Sequence, residues 1–248
     1  MAIILKSKKE IDRMRRAGLV LRDLFDLLVP KIKPGVTTGE LDAFIESYIR
    51  KQNCKPSFKN LYGFPASACI SINEEVVHGI PSSRQLREGD LVKIDVGALY
   101  EGFHADASRT FWVGHASAAA KRLVSVTAKA LDAGISKAVP GNRVGDISSA
   151  IQTVVESEGF SVVRDYVGHG VGRSLHEDPQ VPNFGFPGQG PILRVGMTLA
   201  IEPMVNEGTH EVILAEDKWT VKTKDGKLSA QIEDTVAITE DGPFILTR

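Results

Sequence analysis

Four carboxylate residues stand where the sequence is otherwise apolar and strand-like. Asp95 and Asp106 are predicted at the ends of two strand-like segments joined by a hairpin signal at Tyr100-Glu101-Gly102. Glu202 ends an apolar run, and Glu233 lies within a further strand-like run from Leu228 to Val236. A single Asp or Glu in such a place is usually a solvated strand end or a turn cap. Four of them favour another interpretation, because carboxylates gathered in a core repel one another unless a cation neutralises them. We therefore expect a metal site.

A candidate nitrogen ligand for that metal is His169, which lies in the run Val167-Gly168-His169-Gly170-Val171-Gly172. Glycines on both sides would let the backbone and the imidazole approach a crowded centre. The alternative is an ordinary core or surface histidine. The same glycines do not predict a phosphate loop, because Pro179 interrupts any helix that could follow and present its N-terminus. His176-Glu177 is not a zincin motif, since residue 180 is Gln.

Two helices are predicted near the start of the chain. Ser7 and Glu10 form a capping-box pattern, and apolar residues then recur at helical spacing until Pro30. Thr37 and Glu40 repeat the capping pattern before a second amphipathic run. The basic residues from Lys6 to Arg16 alternate with the first apolar stripe, so we interpret them as a solvated helix face rather than a nucleic-acid or ribosome-docking arm.

The pattern of helices and strands recurs in the second half of the chain. Pro140-Gly141 follows another helical stretch, at about residues 117–139, and stands 106 positions after Pro34-Gly35. Asp95 and Glu202, each after a glycine and an apolar run, stand 107 positions apart. We interpret this as two related α+β halves, at about 1–113 and 114–248, within one catalytic domain spanning 1–248. Chance similarity is the alternative for so weak a repeat.

Composition bounds the class of protein. The 248 residues are 42% hydrophobic and 25% charged, with a formal charge of −1, which argues against an electrostatic nucleic-acid binder. The amino-terminal apolar stretch is too short for a signal sequence, and no segment reaches the roughly 20 apolar residues of a membrane span. Two cysteines, Cys54 and Cys69, are expected to be reduced thiols. We expect a cytoplasmic protein that does not bind membranes.

Six separated motifs in order identify a resemblance that covers nearly the whole chain. The sequence resembles the methionine aminopeptidases of the pita-bread fold through Ile94-Asp95-Val96-Gly97, Gly102-Phe103-His104-Ala105-Asp106, Gly168-His169-Gly170-Val171-Gly172-Arg173, His176-Glu177-Asp178-Pro179, Ile201-Glu202-Pro203-Met204 and Gln231-Ile232-Glu233-Asp234-Thr235. The resemblance implies an α+β fold of two pseudo-symmetric halves, with helices covering an antiparallel sheet.

The resemblance also implies the roles of the candidate site residues. Asp95, Asp106, His169, Glu202 and Glu233 would be the five ligands of a two-metal centre, with Asp106 and Glu233 bridging the ions. Glu202 would also shuttle a proton. One imidazole and four carboxylates suit Mn, Fe(II) or Co, with Zn as an alternative. A hydroxide bridging the two ions would attack the peptide carbonyl.

Two further histidines and an apolar pocket complete the implied site. His176 would hydrogen-bond near the substrate carbonyl, and His78 would contact the scissile amide nitrogen. Apart from the resemblance, the sequence around each of these histidines fits a histidine hydrogen-bonded within a turn as well as it fits a site residue. Cys69 and Trp219 match pocket positions of the family, whereas the positions where relatives often carry Tyr, Tyr and Phe hold Phe58, Leu61 and Leu175. Cys69 is not expected to be a nucleophile, because no partner is placed to activate it.

The implied activity is removal of the initiator methionine from nascent chains when the second residue is small. The short segment between Glu202 and Glu233 leaves no room for the helical insertion of the second type, which favours the type I enzyme in its short bacterial form. Nascent polypeptide N-termini are the expected partners, with transient ribosome association left open, and a monomer is favoured. Two alternatives stand: an X-Pro peptidase of the same fold, and a non-catalytic relative that binds ribosomes or RNA.

Overall fold

Four α-helices form within residues 2–248, the part of the chain that the computed structural model describes, and their bounds are α1 (Lys8–Leu28), α2 (Thr38–Lys51), α3 (Ala118–Ser136) and α4 (Val144–Ser157). Both predicted capping boxes are present. The Ser7 backbone N–H donates to Glu10 Oε2 at 2.8 Å. The Thr37 hydroxyl accepts from the Glu40 backbone N–H at 3.1 Å, while the Thr37 backbone N–H donates to Glu40 Oε2. Local sequence therefore sets where these helices begin.

The strands of residues 2–248 form three antiparallel sheets. The largest has nine strands: β1 (Lys55–Pro56), β2 (Cys69–Ile72), β4 (Leu91–Tyr100), β5 (Phe103–Trp112), β7 (Gly168–Gly170), β8 (Glu177–Val181), β9 (Thr198–Ile201), β14 (Glu233–Thr239) and β15 (Gly242–Ile245). The second contains β6 (Ser161–Val162), β10 (Met204–Asn206) and β13 (Ser229–Gln231). The third contains β3 (Glu75–Val77), β11 (Val212–Leu214) and β12 (Val221–Thr223).

The large sheet runs β1-β4-β5-β14-β9-β7-β8, with β2 also paired to β4 and β15 to β14. Its strands alternate between two faces. On β4, Ile94 and Val96 belong to a core shared with α1 and α2, and on β9, Leu199 and Ile201 belong to a second core shared with α3 and α4. Asp95 points away from the first core. The helices thus cover one face and leave the carboxylates on the other.

The two halves are pseudo-symmetric, as predicted. α2 and α4 are both 14 residues long and begin 106 positions apart, and each packs over its own half of the sheet. The boundary near residue 113 and the assignment of 1–248 to one catalytic domain stay predictions. None of the helices in residues 2–248 combines the length and apolar character needed to cross a membrane. Cys54 and Cys69 are both buried and free.

Two expectations about the strands were wrong. The sequence predicts Asp95 and Asp106 at strand ends, but both lie inside ten-residue strands, because β4 and β5 pair along their full lengths around the Glu101-Gly102 turn. The sequence predicts one strand from Leu228 to Val236, but the run breaks at Ile232 into β13 and β14, which belong to different sheets. The break makes Glu233 the first residue of β14.

Candidate functional site

Strand register brings three of the carboxylates together. Asp95 lies opposite Ser108 in the β4–β5 pair, and Ser108 lies opposite Glu233 in the β5–β14 pair. Side chains of one such row point to the same face of the sheet. Asp106 lies two residues before Ser108 on β5 and so points to that face as well. Residues far apart in sequence thereby meet at the centre of the sheet.

His169 and Glu202 reach the same place from β7 and the end of β9. His169 pairs with Ala200, and Glu202 lies two residues further on. His169 Nε2 lies 3.9 Å from Asp106 Oδ2 and 3.7 Å from Glu202 Oε1. Single ligand atoms of Asp106, His169 and Glu233 lie within 4.8 Å of one another. All five sequence-predicted ligands line one cavity.

Three carboxylate oxygens of this cluster lack hydrogen-bond partners among residues 2–248. Asp95 Oδ1, Asp106 Oδ1 and Glu233 Oε1 are buried and accept no hydrogen bond from any of residues 2–248. A buried polar atom without a partner costs about 1–3 kcal/mol, and more when it is charged. A divalent cation supplies the missing electrophile, and four carboxylates with one imidazole form a hard ligand set. The residues present therefore fit divalent metal ions.

Burial raises the pKa of every carboxyl in the cluster. The pKa of Asp106 rises to about 7 because the side chain is buried. The pKa values of Asp95, Glu202 and Glu233 lie well above their usual range, first through burial and then through repulsion from the Asp106 carboxylate. In the absence of a cation the cluster therefore keeps its protons to a higher pH than free carboxyls do, and a bound cation would displace them.

The imidazole of His169 has a defined orientation. Its Nδ1 lies 2.9 Å from the Gly170 carbonyl oxygen, and a carbonyl only accepts, so Nδ1 carries the hydrogen. Nε2 therefore presents its lone pair to the carboxylates, as a metal ligand must. Burial, with a smaller contribution from His176, lowers the pKa of His169 to about 3. The ring is neutral at physiological pH.

Neighbouring polar residues hold the carboxylates in place. Gln231 Nε2 donates to Glu202 Oε2 at 3.1 Å. The Thr235 hydroxyl donates to the Asp106 carbonyl oxygen at 2.7 Å and accepts from the Asp106 backbone N–H at 2.9 Å. Sequence reasoning included Gln231 and Thr235 in a motif but gave neither a role. Strand alternation offered the signal for Thr235, because it shares a face with Glu233.

The other two histidines predicted for the site, His78 and His176, also line the cavity. His78 packs edge-on against Tyr166 with ring centroids 5.6 Å apart, and burial lowers its pKa to about 4. His176 is exposed at the mouth, where its ring lies 4.4 Å from that of His169 and stacks on Tyr62 at 6.0 Å. Sequence reasoning missed both tyrosines. A neutral imidazole such as His78 can both donate and accept a hydrogen bond.

One end of the cavity is closed by apolar side chains. The five pocket residues predicted from the sequence all line it, and they are Phe58, Leu61, Cys69, Leu175 and Trp219. Phe64, which sequence reasoning missed, packs edge-on against Trp219 with centroids 5.2 Å apart. The whole cavity encloses about 520 Å³.

Cys69 is an apolar part of the pocket wall and not a nucleophile. Burial, and then repulsion from Asp95, raises the pKa of its thiol well above the usual value, so the thiol stays protonated.

Comparison with known proteins places the chain in a family. A model of metallopeptidase family M24 matches residues 12–240. The chain belongs to family M24. It is 57% identical to a methionine aminopeptidase of Clostridium perfringens over 99% of this chain and 98% of that protein. Its fold superposes on a methionine aminopeptidase of Thermotoga maritima with a TM-score of 0.98, 47% identity and full coverage of both chains. It also superposes on a prolidase of Pyrococcus furiosus with a TM-score of 0.80 and 26% identity, covering 99% of this chain but 65% of that one.

The glycines beside His169 are required by close packing in this M24 chain. A Cβ on Gly170 would lie 2.3 Å from the Asp178 carbonyl oxygen, a contact that forces the backbone apart. We expect Gly170→Ala to lower the free energy of unfolding by about 1–3 kcal/mol. Urea unfolding followed by circular dichroism measures the change. Gly39→Ala is the milder control, because its Cβ would lie 3.0 Å from the Ser82 carbonyl oxygen and alanine favours helix α2. Equal stability of Gly170→Ala and wild type would contradict the packing argument.

One member of the basic run does not lie on a solvated helix face. Lys6 precedes α1 and is buried, and its Nζ donates to Glu177 Oε2 at 2.5 Å and to the Ile4 carbonyl oxygen at 2.9 Å. Glu177 Oε1 accepts from the Ser174 backbone N–H. The prediction was wrong at Lys6 because its partner lies 171 positions away. This ion pair ties the amino-terminal segment to the loop that carries His176.

Removal of the Lys6 ammonium leaves a buried carboxylate without its partner. We expect Lys6→Met to lower the free energy of unfolding by about 3 kcal/mol or more, since breaking a buried pair strands the other charge. Adding Glu177→Gln should recover part of the loss, which a double-mutant cycle in urea measures. Lys9→Met, at an exposed position of α1, is the control. If Lys6→Met unfolds at the same urea concentration as Lys9→Met, the ion pair contributes nothing.

Proposed function

We propose that this M24 chain is a type I methionyl aminopeptidase that removes the N-terminal methionine from polypeptides whose second residue is small. Its relatives of 57% and 47% identity carry the name methionine aminopeptidase. The observation that supports the activity is one cavity in which unpaired carboxylate oxygens lie beside a closed apolar pocket. Nascent chains in the cytoplasm are the substrates in this proposal, and the enzyme acts as a monomer that associates with ribosomes at most transiently.

Five side chains hold the metal in this proposal. Two divalent ions would be bound by Asp95, Asp106, His169, Glu202 and Glu233, with Asp106 and Glu233 shared between them. Their ligand types favour Mn, Fe(II) or Co, with Zn as the alternative. When bound, such ions polarise a carbonyl and lower the pKa of water enough to supply hydroxide near neutral pH.

The chain's own groups then handle protons and position the substrate. Glu202 Oε2 is held by Gln231, so the proton-transferring oxygen is Oε1, which faces His169. Glu202 accepts a proton there and passes it to the leaving amine. His78 hydrogen-bonds the scissile amide nitrogen, and His176 hydrogen-bonds the substrate carbonyl. Both roles suit neutral imidazoles that line the cavity.

The closed end of the cavity accepts the methionine side chain in this proposal. Thioether sulfur packs favourably against aromatic rings, at about 0.3–1.5 kcal/mol per contact. Phe58 and Trp219 supply such rings, and Leu61, Cys69 and Leu175 complete the apolar wall. The five residues carry no formal charge, so the pocket selects by shape and polarity rather than by ion pairing.

Turnover of two peptides by reconstituted enzyme tests the proposal. Metal-stripped protein is loaded separately with Mn, Fe(II), Co or Zn and given Met-Ala-Ser or Ala-Pro-Ser. We expect metal-dependent release of methionine and little release from the proline peptide. Preferential cleavage before proline would instead favour an X-Pro peptidase, the activity class of the prolidase with the same fold. No release with any ion would favour a non-catalytic protein.

A further inference from the structure

A second groove adjoins the catalytic cavity at β8. It encloses about 570 Å³ and is lined by residues of β8, by the first turn of α4 and by the segment 182–191. Asp178 and Gln180 line both the groove and the cavity. β8 is the last strand of the large sheet, so no further strand separates the groove from solvent. The groove and the cavity therefore share part of one wall at this edge.

The outer wall of the groove is fixed to α4. The Gly145 backbone N–H donates to the Gln189 carbonyl oxygen at 2.9 Å, and the Gly188 N–H donates to Asp146 Oδ1 at 2.8 Å. A Cβ on Gly145 would lie 2.3 Å from the Phe186 carbonyl oxygen, so the segment packs directly on the helix. Phe186 is nevertheless 71% exposed. An aromatic ring held at the surface by a fixed backbone is preorganised for contact.

The chemistry of the groove matches a polypeptide of variable sequence. Of its fourteen lining residues only Asp178 is charged, and the others are apolar, glycine, proline, serine or glutamine. Such a surface offers apolar contact and amide hydrogen bonds without selecting for charge. In the proposed reaction the first residue enters the closed apolar end of the cavity. The rest of the chain must leave the cavity away from that closed end, and Asp178 and Gln180 are the lining residues that the cavity shares with the groove.

We propose that this groove binds the substrate residues that follow the scissile bond, and that Phe186 is its main apolar contact. The inference rests on the proposed aminopeptidase activity and extends it, since it makes polypeptides rather than di- or tripeptides the preferred substrates. Binding there lowers KM for longer peptides and leaves the chemical step unchanged, because the contacts are the same in the ground state and the transition state.

Peptide length tests the groove. Wild-type enzyme is given Met-Ala-Ser and an octapeptide that begins with Met-Ala-Ser and continues with uncharged residues. We expect kcat/KM to be about tenfold higher for the octapeptide, through KM, as burial of part of an aromatic ring implies. Phe186→Ser should remove most of this gain and leave tripeptide turnover unchanged. Phe186→Tyr, which keeps the ring, should restore it. Phe244→Ser, at another exposed phenylalanine on β15, should keep the full gain.

The outcomes separate the two proposals. Equal kcat/KM for both peptides in the wild type would overturn the groove and leave the aminopeptidase activity standing. A length preference that Phe186→Ser retains in full would also overturn it, because the contact would then lie elsewhere. Failure to cleave either peptide with any metal would overturn the activity and the groove together. Circular dichroism melts of each variant show that the comparison is made on folded protein.

Discussion

Glu202→Gln is expected to lower kcat/KM for Met-Ala-Ser by about a thousandfold or more while the fold stays intact. Glutamine has nearly the same shape as glutamate, and its amide oxygen can still accept from Gln231 Nε2, now 3.1 Å from Glu202 Oε2. It cannot accept a proton and is a weaker metal ligand. Loss of a general base alone costs about 10²–10⁴ in rate, and loss of a ligand adds to this.

Steady-state kinetics on metal-loaded protein measure this loss. Glu216→Gln is the matched control, because it makes the same change at an exposed position outside the cavity. Glu216→Gln should retain wild-type turnover. A Glu202→Gln enzyme with more than a tenth of the wild-type kcat/KM would show that this carboxylate neither carries the proton nor holds an essential metal. A non-catalytic binding protein would keep its partner affinity in the same variant.

Metal binding is expected to raise Tm more at pH 8.5 than at pH 6.5. Raised carboxyl pKa values mean that the folded, metal-free protein binds protons that the unfolded chain has already lost near pH 4. The stability of the metal-free protein therefore falls as pH rises from the unfolded pKa values near 4 to the raised folded values, of which that of Asp106 is about 7. A bound cation removes this penalty by displacing the protons.

The expected difference between the metal-induced rises in Tm at the two pH values follows from the linkage between metal binding and proton release. Each displaced proton changes the binding free energy by about 1.4 kcal/mol per pH unit, which corresponds to about 3–5 °C in a domain of this size. His169, with its pKa lowered to about 3, is neutral across this range. Buried Lys93, with its pKa lowered to about 7, has the opposite slope. Its contribution cancels because the comparison is between metal-bound and metal-free protein at each pH.

Thermal melts with a chelator and with saturating Mn at both pH values give the four Tm values required. Asp106→Asn removes one of the proposed ligands and should abolish most of the metal-induced rise. Asp241→Asn is the control, because it makes the same change at an exposed site. A rise of equal size at pH 6.5 and pH 8.5 would mean that the cluster binds metal without releasing protons, against the raised pKa values.

Local patterns in the sequence were enough to predict where α1 and α2 begin. The capping boxes at Ser7 and Thr37 act over three residues, so their outcome does not depend on the rest of the chain. The resemblance named five candidate ligands and five pocket residues, and the structure gathers all ten around one cavity. Their ligand and binding roles stay proposals that the experiments above test.

Tertiary structure alone decided which groups meet. The row Asp95, Ser108 and Glu233 depends on the register of three strands, and register is set by packing across the sheet rather than by neighbours in sequence. The same reason explains the break at Ile232, where the chain passes from one sheet to another. Tertiary contact also explains Lys6. The sequence predicts this residue on a solvated helix face, but it is buried and paired with Glu177, which lies 171 residues away. Sequence periodicity carries information over a few residues, whereas these contacts join segments whose proximity exists only once both halves have folded.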